Sequence, residues 1–101
     1  MSTQSEILQK LKEIRSELKR EYGVCELGVF GSTARGQDSG TSDLDILVEF
    51  DEDRPADFFI LSALADALKT ATGREVDIVT KRAIARKTRL KQRVERDVIY
   101  V

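Results

Sequence analysis

Apolar residues first recur at Ile7, Leu11, Ile14 and Leu18, spacings of four, three and four that share one stripe of a helix. The pattern predicts a helix over residues 5–22, with Thr3 and Glu6 spaced as a capping box and Gly23 placed where a helix stops. The period then drops to two. Cys25, Leu27 and Val29 alternate with their neighbours in a strand over residues 24–30. Over residues 43–50, Leu44, Ile46, Val48 and Phe50 take one face of a second strand and Asp43, Asp45, Leu47 and Glu49 the other. A helix is expected over residues 56–71, its buried side made by Phe59, Leu61, Leu64, Ala65 and Leu68, with Gly73 as its stop. Val76 and Ile78 set against Asp77 and Val79 mark a third strand over residues 75–80. A basic helix over residues 82–93 and an apolar edge strand over residues 98–101 complete the reading. Strands that alternate with helices define an α/β protein, a small twisted sheet flanked by helices, here expected on one side.

The connections are polar. Residues 31–42 are rich in Gly, Ser and Thr and read as a loop with a helical turn around Thr33, and residues 51–55 as a charged turn. No repeat or linker interrupts the chain, so residues 1–101 are read as a single domain. A core of this size is modest and leaves room for an oligomer or hetero-oligomer.

Composition narrows the chemistry. There is no histidine, which removes the commonest general base and the commonest zinc ligand. Carboxylates, hydroxyls, basic groups and bound metal must do the work. The lone cysteine, Cys25, reads as a small core residue and fits a reducing, cytoplasmic setting. No apolar run approaches the roughly 20 residues that cross a bilayer, so no membrane partner is expected. Residues 1–80 hold 9 Lys and Arg against 16 Asp and Glu, whereas residues 81–101 hold 8 against 2. The basic end suits a solvated face, an RNA contact or a dock for an acidic partner; an overall charge of −1 argues against direct nucleic-acid binding.

Asp43 and Asp45 leave the same strand face, where two like charges repel unless a cation neutralises them. Asp77 sits between Val76 and Ile78 on a neighbouring predicted strand. Mg²⁺ favours one or two carboxylates completed by phosphate oxygens and water, and three carboxylates at one sheet edge can hold two ions. Upstream, Gly31 and Ser32 open a turn whose N–H groups and hydroxyl suit phosphate oxygens. Arg35 in that turn either pairs with phosphate or braces the loop. Ser42 reads as structural, its hydroxyl an N–H acceptor that sets the turn before the strand. Glu49 reads as a surface or salt-bridge residue.

The stretch Gly31-Ser32-Thr33-Ala34-Arg35-Gly36 followed by Ser42-Asp43-Leu44-Asp45 resembles the signature of the DNA polymerase β superfamily of nucleotidyltransferases. With Asp77 and the closing residues 93–101 it is similar, more narrowly, to the minimal nucleotidyltransferases, the MntA-type antitoxins. That resemblance implies a mixed sheet, metal-binding catalytic roles for Asp43, Asp45 and Asp77, and nucleotide contacts from Gly31, Ser32, Arg35 and Ser42. It also implies a Mg²⁺-dependent adenylyltransferase that moves AMP from ATP to a tyrosine of a HEPN-domain toxin, with Asp77 as the base by analogy. Two alternatives stand beside it: an antitoxin that neutralises its HEPN partner by binding alone, and a transferase acting on a small molecule or an RNA end.

Overall fold

The computed structural model describes residues 3–37, 43–54 and 56–101. Nine elements follow in order: α1 (Thr3–Tyr22), β1 (Val24–Phe30), α2 (Gly31–Ala34), β2 (Leu44–Phe50), α3 (Phe58–Thr72), β3 (Val76–Thr80), α4 (Lys81–Ile84), α5 (Thr88–Asp97) and β4 (Ile99–Tyr100). The sheet runs β3-β2-β1-β4. β1 pairs antiparallel with β2 and β4, whereas β2 and β3 are parallel and joined through α3, so the sheet is mixed.

The stripe read in the first helix is the one that packs: Ile7, Leu11 and Leu18 are buried and Ile14 lies against them. They meet Leu64 and Leu68 of α3 over Leu27, Val29, Leu44, Ile46 and Val48 of the sheet. α1 stops as its sequence indicates. Gly23 takes a left-handed φ of 76°, and its N–H donates to the Lys19 carbonyl at 3.0 Å. The Arg54 guanidinium then donates to the carbonyls of Arg20 and Glu21, at 2.9 and 3.0 Å, satisfying acceptors that the helix end leaves open.

Four expectations are corrected. Helices cover both faces of the sheet, because Leu47 points away from the first core and is itself buried against Ile84 and Val94. The basic helix is two helices. In one continuous helix Ile84 would point about 120° away from Leu90, and the break after α4 lets both face the sheet. Phe59 is 80% exposed. It lies one residue, about 100°, off the buried stripe of Leu64, Leu68 and Thr72. Cys25 is exposed rather than core, because the β1–β2 register shifts between Val24 and Glu26 and the bulge turns its side chain outward. Among the described residues no helix is long and apolar enough to cross a membrane.

Candidate active site

The site lies where β1 hands the chain to α2. The sequence Val-Phe-Gly-Ser leaves the strand and enters a helical turn at Gly31, which takes φ +74°. That conformation favours glycine, and there is a second requirement. A Cβ on Gly31 would clash with the Asp45 carboxylate, its Oδ2 nearest and its Cγ at 3.1 Å. Backbone and carboxylate are thus as close as they can be. The far end of α2 is also tied down. Gln4 Nε2 donates to the carbonyls of Thr33 and Ala34, at 3.1 and 2.8 Å. Gln4 is invisible to a motif search, since its part depends on where α1 ends up.

Asp45 is the centre of the arrangement. On one side it pairs in register with Phe30 of β1, and on the other with Asp77 of β3. Asp43 stands just ahead of β2 and is exposed, as is Asp77, while Asp45 is half-buried. Burial pushes the Asp45 carboxyl above its usual range, and the negative charges of Asp77 and Asp43 push it further, with Arg35 pulling back. The three aspartates predicted from sequence are therefore brought to one end of the β2 and β3 strands, where Asp45 feels the charge of the other two. Among the described residues they do not close into a three-ligand cage. An open, all-carboxylate edge fits a hard divalent cation that completes its shell with phosphate oxygens, and it would take up the excess negative charge felt at Asp45.

A cavity of about 280 Å³ opens beside this edge, lined among others by Gly31, Ser32, Arg35, Asp45, Leu90 and Arg93. Ser32 is half-buried at its rim. The Arg35 side chain is hydrogen-bonded within the protein: its Nη1 donates to Asp97 Oδ2 at 3.0 Å and its Nε to Gln37 at 3.2 Å. This contact locks α2 to the end of α5. Asp97 loses some solvation there, which raises its pKa, but the hydrogen bonds from Arg35 and Arg96 outweigh that and hold the carboxyl below its usual range. Arg93 and Asp97 were not among the residues picked out from sequence, because only the return of α5 over the sheet puts them here. Ser42 lies outside the described residues.

Across the sheet, at the other end of β2, Glu26 and Glu49 oppose each other in register. Lys81 Nζ donates to Glu26, lies 3.8 Å from Glu49, and stands 5.0 Å from the centre of the Tyr100 ring. Glu49 is the salt-bridge residue its sequence position suggested.

A mixed sheet with three aspartates converging beside a Gly-Ser turn has the parts of a phosphoryl- or nucleotidyl-transfer enzyme. Comparison with known proteins narrows this. Residues 11–101 match the family described as nucleotidyltransferase domain. The protein adenylyltransferase MntA of Thermococcus cleftensis is 40% identical over 101 residues, covering 100% of this chain and 98% of that protein. A solved structure assigned as a minimal nucleotidyltransferase superposes with a TM-score of 0.74 at 36% identity, covering 98% of this chain and 95% of that one. A toxin-antitoxin structure with AMP-PNP gives a TM-score of 0.66 at 25% identity, over 96% of this chain and 70% of that one. The chain belongs to the nucleotidyltransferase family, among its minimal MntA-type members, and is an enzyme of that class.

Proposed function

We propose that this nucleotidyltransferase is a protein adenylyltransferase that acts as an antitoxin, transferring AMP from ATP to a tyrosine of a HEPN-domain toxin in the cytoplasm. The observation that carries the reading is the register pair Asp45 and Asp77, set against the Gly31 backbone. The name of the Thermococcus cleftensis relative supports AMP as the group transferred. The toxin-antitoxin structure with AMP-PNP supports a toxin as partner and an adenine nucleotide as donor.

In this reading Gly31 and Ser32 offer a backbone N–H and a hydroxyl to phosphate oxygens. Mg²⁺ held by Asp43, Asp45 and Asp77 would supply charge neutralisation at the triphosphate and the attacking oxygen. Asp77, exposed on β3, takes the proton of the tyrosine hydroxyl. The tyrosine oxygen bonds to the α-phosphorus, the bond from that phosphorus to the bridging oxygen breaks, and pyrophosphate leaves with the electron pair. Arg35 keeps the phosphate turn in place through Asp97 rather than by touching substrate. Nucleotide contact by Ser42 belongs to the same reading.

The test uses purified protein, ATP radiolabelled at the α-phosphate and Mg²⁺, with and without the protein encoded next to it. Label on a tyrosine of that protein, abolished by EDTA or by Asp43→Ala, is the expected result. A tight complex without label from any of the four nucleoside triphosphates would replace the reading with neutralisation by binding alone.

A further inference from the structure

We infer that Arg93 of α5 is a nucleotide-binding residue that holds the β- and γ-phosphates of the donor, and that the cavity between α2 and α5 is the seat of the triphosphate tail. This rests on the nucleotidyl-transfer reading above and extends it to a residue outside the aspartate and Gly-Ser motifs. Three observations carry it.

The first is position. Arg93 lines the same cavity as Gly31, Ser32 and Asp45, on the wall facing the phosphate turn. The reacting α-phosphorus belongs at the aspartate edge. The remaining two phosphates must then extend away from it, and this cavity adjoins both the edge and Ser32. The second is charge. Two guanidinium groups line the cavity, and Arg35 is committed to Asp97 and Gln37. Among the described residues Arg93 takes part in no ion pair or hydrogen bond, whereas Lys91 pairs with Glu95 and Arg96 with Asp97 on the same helix. Among the described residues Arg93 is the guanidinium of this cavity with all of its donors open to a ligand. The third is chemistry. As the bond to the α-phosphorus breaks, negative charge builds on the departing pyrophosphate, and a guanidinium can meet two of its oxygens at once. Leu90 and Val94 give the same cavity an apolar wall.

Arg93 is exposed, so substitution there should leave the fold intact, which circular dichroism checks. The experiment measures binding of ATP and of AMP by calorimetry with Mg²⁺ present, for the wild-type chain, Arg93→Ala and Arg93→Lys. The expected result is a roughly 10- to 100-fold weaker Kd for ATP in Arg93→Ala, the size of one charge-assisted contact, with partial recovery in Arg93→Lys and AMP binding unchanged. Equal weakening of ATP and AMP would move the contact to the nucleoside or α-phosphate and overturn the assignment. So would unchanged ATP binding with a raised KM for the protein acceptor, which would make Arg93 an acceptor contact. Wild-type protein that binds no ATP would overturn the donor reading itself. Tight wild-type binding matched by both variants would overturn only the role of Arg93.

Discussion

Gly31 and Asp45 share a volume that leaves no room for one more carbon: a Cβ on the glycine would fall well inside van der Waals contact with the Asp45 carboxylate oxygen. The same glycine sits at φ +74°. Gly31→Ala therefore meets two penalties. The left-handed backbone costs about 1–2 kcal/mol, and Asp45 must also turn away. We expect a folded protein with a lower Tm and at least a hundredfold loss of transfer. Wild-type activity in Gly31→Ala would show that the turn tolerates displacement of Asp45.

Asp45 is held in a place its charge does not favour, half-buried and facing Asp77 and Asp43. Asp45→Asn removes that repulsion and keeps the shape. In metal-free buffer at neutral pH the variant should melt a few degrees higher than wild type while losing transfer activity. Thermal melts run beside the labelling assay check both halves. A lower Tm would mean that the carboxylate is stabilised by contacts stronger than the repulsion.

Lys81 neutralises a pair of carboxylates that the β1–β2 register sets face to face. Lys81→Ala should cost about 1 kcal/mol, the upper end for a partly exposed pair, because it also leaves Glu26 and Glu49 opposed. The Glu26→Gln, Lys81→Ala double variant should recover part of that loss. The pH dependence follows from the shifts. Glu26 is held below its usual 4.5, first by its hydrogen bond to Glu49 and then by Lys81. Its contribution is therefore complete above that value and is lost as pH falls through the folded one. Lys81 is pushed up from 10.5, chiefly by its hydrogen bond to Glu26, so the pair also persists through neutral pH into alkali. The stability gap between wild type and Lys81→Ala should be flat near neutrality and close in acid, as urea titrations at a series of pH values would reveal.

Arg35 and Asp97 clamp α2 to α5 at 3.0 Å. Asp97→Asn should weaken the clamp without removing the aspartates, so kcat should fall several-fold while the metal requirement stays the same. Asp97→Glu should restore part of the rate. A change in metal dependence instead would place Asp97 in the metal site.

Phe58 and Phe59 are 78% and 80% exposed, with ring centres 6.1 Å apart. Phe59→Ser should change stability by less than about 0.5 kcal/mol, since an exposed site gives up little buried area. A larger loss would mean that Phe59 packs in solution as the sequence pattern had suggested.

Much of this protein could be read from its residues alone. The period of four and three in α1 and the period of two in β2 are local facts, fixed by the geometry of helix and strand. The Gly-Ser turn and the Asp43, Asp45 spacing are local as well, because a strand puts alternate side chains on one face whatever surrounds it. What local pattern cannot carry is the identity of the partner across a contact. Asp77 meets Asp45 only because β3 returns parallel to β2. Leu47 is buried only because α4 and α5 fold over the second face. Cys25 and Phe59 are exposed because of a register shift and the end of a stripe, neither of which alters the hydrophobic count. Arg93 and Asp97 are two charged residues in a basic helix until α5 lies against α2. Local pattern was enough for most of the elements, for the apolar faces of α1 and β2, and for the residue types able to bind phosphate and metal. The tertiary structure alone decided which charges face one another, because that depends on chain segments far apart in sequence meeting at one edge of a sheet.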